Sequence, residues 1–147
     1  MLFKDTEQKD VEIFWQEYAE QIGQKVLARG LGRYISGWKE FDIGGLTSLW
    51  GLIIATDGGF RFHHFPQQHW ADLIGRRREK PTERIFTIPG EKIISSELKK
   101  ETNWLKKIFG SPAPILSIIY RDESGEERKL LLEADIIHGD LAGSLKP

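Results

Sequence analysis

The stretch from Leu49 to Phe65 reads as two β-strands around a tight turn. Asp57-Gly58-Gly59 supplies the residue types that accept positive φ, as the primed turns of β-hairpins require. Trp50, Ile53, Ile54 and Thr56 on one side, and Phe60, Phe62 and Phe65 on the other, suit a pleated, half-buried surface. A hairpin of this kind is marginal alone and needs further strands or a helix to bury its apolar face.

The rest of the chain supplies them. Val26 to Trp38 is a candidate strand interrupted by Gly30, Gly32 and Gly37, at which bulges or sharp bends are expected. Arg84 to Ile88 forms a short strand closed by Pro89-Gly90, and Lys92 to Lys99 forms another. Ile115 to Arg121 and Arg128 to Glu133 make a second hairpin with Asp122-Glu123-Ser124-Gly125 at its tip. Before the strands, Val11, Phe14, Trp15, Tyr18 and Ile22 recur at helical spacing between Asp5 and Gly23. Asp5 or Thr6 can cap this helix, Gly23 can end it, and its stripe is expected to pack on the rest of the domain. Ala134 to Leu145 is read as a C-terminal helix or tail.

These elements predict an α+β, mainly β chain: a seven-stranded bent barrel with a helix at each end. The 147 residues suffice for one domain, divided into an N-terminal helix (1–24), a barrel (26–133) and a C-terminal segment (134–147). The expected core is Leu52, Ile54, Phe60, Phe62, Phe86, Ile88, Leu116, Ile118, Leu130 and Leu132. Gly30-Leu31-Gly32, Thr56-Asp57-Gly58-Gly59, Phe60-Arg61-Phe62, and Ile88-Pro89 followed by Lys92-Ile93-Ile94 carry a likeness to a known superfold. On these motifs the segment from Val26 to Leu145 resembles the pleckstrin-homology-like (PH-like) superfold, nearest to its GRAM-type and bacterial PH-like domains. The resemblance implies scaffold use and no particular ligand, because a fold does not fix a function.

Charge and composition exclude several chemistries. A formal net charge of −1 creates no global field to attract nucleic acid, and basic residues are not interleaved with aromatics on a strand face. The absence of cysteine excludes disulfides, thiolate metal sites and cysteine nucleophiles, and fits a reducing cytoplasm. The charged N-terminus and the short apolar run from Leu49 to Ala55 set an expectation of a soluble, cytoplasmic protein. Walker, dinucleotide, nucleophile-elbow and His-Glu-x-x-His signatures do not occur, so neither catalysis nor a cofactor is expected.

Three clusters remain as candidate sites. His63, His64 and His69 invite a metal reading, but adjacent strand residues face opposite ways, with His63 beside Arg61 and Phe65. Structural or surface histidines are the expectation, and no metal site. Arg76, Arg77, Arg78 and Lys80 form a basic loop suited to phosphate or carboxylate oxygens, or else a solvated charge run. In many PH domains phosphoinositides bind between the first two strands. Here Glu40-Phe41-Asp42-Ile43-Gly44-Gly45 makes that loop acidic, which argues against inositol-phosphate recognition. Trp104 and Phe109, with Lys106 and Lys107, can form a helical turn that meets a lipid headgroup layer or a partner, or else plugs the core.

Two binding roles follow. Either the domain binds a protein segment or another copy of itself, through the N-terminal helix or an edge of the Ile115–Glu133 hairpin, or its basic residues contact an anionic membrane surface. The near-neutral charge and the acidic first loop favour the protein reading.

Overall fold

Strand β1 (Val26–Ser36) pairs antiparallel with two neighbours, and the whole architecture hangs from it. In this computed structural model, which describes residues 2–46, 48–65, 83–99 and 114–145, β1 follows helix α1 (Leu2–Ile22). Helix α2 (Lys39–Ile43) comes next, then β2 (Trp50–Thr56), β3 (Gly59–His64), β4 (Arg84–Pro89) and β5 (Ile93–Lys99). β6 (Ile115–Arg121), β7 (Glu127–His138) and a short α3 (Leu141–Ser144) complete the order. The strands form one antiparallel sheet in the order β4-β3-β2-β1-β7-β6-β5. A four-strand and a three-strand meander thus meet at the β1–β7 pair.

The inner face of β1 explains how the sheet curls. It carries Ala28, Gly30, Gly32 and Tyr34, three of them small, and Ile53 of β2 lies over the glycines. A β-carbon on Gly32 would stand 2.7 Å from the carbonyl oxygen of Glu133 and 3.0 Å from Ile53 Cγ2. No side chain fits in that space. The curled sheet encloses one core, in which Trp38 stacks on Phe86 of β4 at 4.4 Å and reaches Tyr120 of β6 at 5.9 Å. Tyr34 is fully buried, donates its hydroxyl proton to Asp42 at 2.5 Å and accepts the Trp38 amide at 2.7 Å. Burial first, and then the Asp42 carboxylate, push its phenol well above the ordinary tyrosine range.

The structure departs from the sequence expectations in several places. Glu40 to Ile43, read as loop, belongs to α2, which delivers Phe41 into the core. Ala134 to His138, read as the start of a C-terminal helix or tail, continues β7 because β1 pairs with it from Arg29 to Gly32; Gly139, at φ +88°, then turns the chain. Helix α3 is only four residues long, begins at Asp140, whose carboxylate accepts the Gly143 amide at 2.9 Å, and buries Leu141. In β2 the expected parity is inverted. Ile53 and Ala55 enter the core, whereas Leu52 and Ile54 face outward. The other eight expected core residues, from Phe60 to Leu132, are buried as predicted. The Ile115–Glu133 hairpin has no edge to offer, since β6 lies between β5 and β7, and β7 between β6 and β1.

Substituting Gly32→Ala forces backbone or Ile53 to move and should cost about 1–3 kcal/mol, read as a lower urea midpoint with an unchanged slope. A variant as stable as the parent would show that the close approach does not exist.

Candidate functional site

The outer face of the four-stranded half is where polar and apolar groups gather outside the core. Its rows follow from the register. Arg29, Ile54, Arg61 and Thr87 stand side by side across β1 to β4, and the next row is Leu31, Leu52, His63 and Ile85. Helix α1 lies over the first row. The Arg29 guanidinium sits 4.7 Å from the centre of the Trp15 ring, and Arg61 Nε donates to the Tyr18 hydroxyl at 2.8 Å. Between those arginines Ile54 is fully buried although it faces away from the core.

Tyr18 is the anchor. Among the described side chains of α1 it alone is fully buried; Trp15, Ala19 and Ile22 are half-buried. Gly23, at φ +67°, ends the helix as expected, and the Gln24 amide bonds back to the Ala19 carbonyl at 3.2 Å. The Tyr18 hydroxyl meets His63 Nδ1 at 2.8 Å, while His63 Nε2 lies 3.2 Å from a Glu83 carboxylate oxygen. A carboxylate only accepts, so Nε2 carries the ring proton and donates to Glu83. Nδ1 of the neutral ring must then accept, and Tyr18 donates to it. Arg61 to Tyr18 to His63 to Glu83 is therefore a single directed chain of hydrogen bonds.

Burial sets the protonation of both middle members. It raises the Tyr18 phenol above its ordinary value, with Arg61 acting the other way, so the hydroxyl stays a donor. It lowers His63 below the ordinary imidazole value, against the pull of Glu83. The ring is 6% exposed and stacks on Phe65 at 3.9 Å.

The apolar stripe of α1 packs on the domain only toward its C-terminal end, where Tyr18 is buried and Trp15 and Ile22 are half-buried; Val11 and Phe14 of the stripe stay exposed. Val11, Ile13 and Phe14 are each about half exposed (48, 50 and 42%). Leu31, Trp50 and Ile85 on the sheet, and Phe65 just after β3, also remain exposed. Single exposed apolar residues are ordinary, but grouped ones mark contact surfaces.

His63 shares the face of Arg61 and Phe65, as strand alternation requires. Both its ring nitrogens are engaged, and His64 turns away to place Nδ1 2.6 Å from the Trp50 carbonyl oxygen. Among the described residues no group of three histidine or acidic side chains is placed to hold a metal ion. No described helix is long and apolar enough to cross a membrane. His69, Arg76, Arg77, Arg78, Lys80, Trp104, Lys106, Lys107 and Phe109 lie outside the described residues. The Tyr18–His63 contact spans 45 positions and has no local signature; only the face assignment of His63 and the helical period of Tyr18 pointed toward it.

Comparison with known proteins finds no matching family model, no matching curated protein and no matching solved structure.

Replacing Tyr18 by Phe keeps the ring and removes the hydroxyl, leaving His63 Nδ1 and Arg61 Nε without that partner. A loss of about 1–3 kcal/mol is expected, seen first as a fall in helical circular dichroism from α1 before the sheet unfolds. An unchanged helical signal and melting curve would show that the hydroxyl does not hold the helix.

Proposed function

We propose that this chain is a non-catalytic binding domain of PH-like architecture that engages a protein partner through α1 and the adjoining sheet face. The observation that carries the reading is the helix itself. It runs about 31 Å, and among its described side chains only Tyr18 is fully buried, while Val11, Ile13 and Phe14 face water. Helices in proteins draw most of their stability from packing an apolar face, so these exposed apolar residues are better satisfied by a partner than by solvent.

The strand order supports the PH-like part of the proposal. Two meanders of four and three strands meet through β1 and β7, and a short terminal helix places Leu141 in the core. The non-catalytic part is supported by the engagement of His63, which is sealed between Tyr18, Glu83 and Phe65 with neither nitrogen open to a substrate. A second copy of this chain is the simplest partner, because a two-fold axis lets one exposed helix face cover its own equivalent.

Sedimentation velocity between about 5 and 500 μM tests this. A rise in weight-average sedimentation coefficient with concentration is expected, and Phe14→Glu should abolish it while the far-ultraviolet spectrum is retained. A monomer throughout that range would rule out self-association.

A further inference from the structure

We propose that His63 is a proton-operated latch that holds α1 on the sheet when neutral and releases it on acidification. The proposal concerns a contact inside one chain, so it goes beyond the partner-binding reading and does not depend on it.

The geometry allows only one place for an added proton. Nε2 already carries one and donates it to Glu83, so a second must enter at Nδ1, the atom that accepts the Tyr18 hydroxyl at 2.8 Å. Two donors would then face each other. The Tyr18 oxygen can accept from both Arg61 and His63 only by swinging its own proton out of the chain of bonds, within the helix–sheet contact. Protonation also sets a second cation beside the Arg61 guanidinium, with His64 adding to the disfavour of charge. Among the described residues Glu83 is the one group facing the ring that favours the charged form, and its carboxylate is 53% exposed and screened by water. Tyr18 completes the set facing His63 from α1 and carries no charge.

The sign follows from linkage. Burial lowers the proton affinity of the imidazole, and Tyr18 of α1 lies against Nδ1 and the ring as part of that cover, so on this proposal the docked state binds fewer protons than the undocked one. Docking is complete above the ordinary histidine value of about 6.5 and is lost progressively as pH falls from there through the docked-state value. Its release uncovers Ile54 and the Trp15–Arg29 pair and frees the last turns of α1 from the sheet.

Because the chain contains no cysteine, spin labels go only where they are placed. A Glu17→Cys/Lys129→Cys pair, both sites exposed, reports the helix-to-sheet distance in the full chain diluted with unlabelled protein. A Glu97→Cys/Lys129→Cys pair reports the sheet alone. We expect one narrow distance at pH 7.5, a broader and longer distribution for the helix pair at pH 5, and no change in the sheet pair. His63→Gln, which keeps an acceptor and a donor but cannot titrate in this range, should leave the helix pair unchanged at both values. In the parent chain the His63 Cε1–H shift should titrate with a midpoint below 6.5 that coincides with the distance change. A helix distance that ignores pH, a pH response that survives His63→Gln, or a separate His63 midpoint would each overturn the latch.

Discussion

Both halves of the sheet depend on the pairing of β1 on its two flanks, and that pairing depends on how little β1 places on its inner side. Ala28, Gly30 and Gly32 leave room for Ile53 to lie against the strand and for β7 to pass within hydrogen-bonding distance. Larger residues would hold the meanders apart. The curl brings Phe86 from one end of the sheet and Tyr120 from the other onto the same Trp38 ring, so one aromatic cluster serves as core for all seven strands. The polar atoms this buries are satisfied locally, the Tyr34 hydroxyl by Asp42 and Trp38, and the Tyr120 hydroxyl by the Gly37 carbonyl at 2.7 Å.

The outer side is built on a different principle. There the sheet offers arginines and scattered aliphatics instead of a continuous apolar face, and α1 meets it through ring faces and a hydrogen-bonded relay. Hydrogen bonds add about 0.5–1.5 kcal/mol each on balance, far less per residue than the burial that holds the core. A helix fastened this way is a separable unit on a self-sufficient sheet. The same economy of contact makes it responsive, because changing one proton on His63 alters a large share of what holds the helix in place.

How much of this the sequence disclosed depended on the kind of signal. The positions of the turns were legible because their chemistry is local. Asp57-Gly58 joins β2 to β3, although the positive φ falls on Gly59 and not on the two central residues as a primed turn requires. Asp122 to Gly125 caps the second hairpin through the Asp122 carboxylate. The face of β3 was legible because its residues alternate, Phe60 and Phe62 against Arg61 and His63. Leu52 to Ala55 do not alternate, so nothing local could tell which of them face the core. Helix α2 was hidden because Glu40 to Gly45 reads as loop chemistry, and only the spacing of Trp38 and Phe41 hinted that both turn inward. The apolar period of α1 identified the helix and, through Tyr18, part of its packing, since periodicity shows which residues share a face and not how much of that face a neighbour covers. The Tyr18–His63 relay joins distant positions through the sheet register, which no local pattern encodes. The basic loop drew attention by its composition, whereas the described site rests on a tyrosine and a histidine that look ordinary in the sequence.

The central claim is that α1 is a weakly fastened unit on an independently stable curled sheet, and native-state hydrogen exchange at pH 7.5 tests it most directly. Amides of β1, β2 and β7 should share the protection of global unfolding. Amides from Glu12 to Ile22 should open at least about tenfold more readily, with little dependence on denaturant, which corresponds to a gap of roughly 1.4 kcal/mol or more. Equal protection of helix and sheet, with the same denaturant slope, would mean that α1 is an integral part of the fold and would contradict the account.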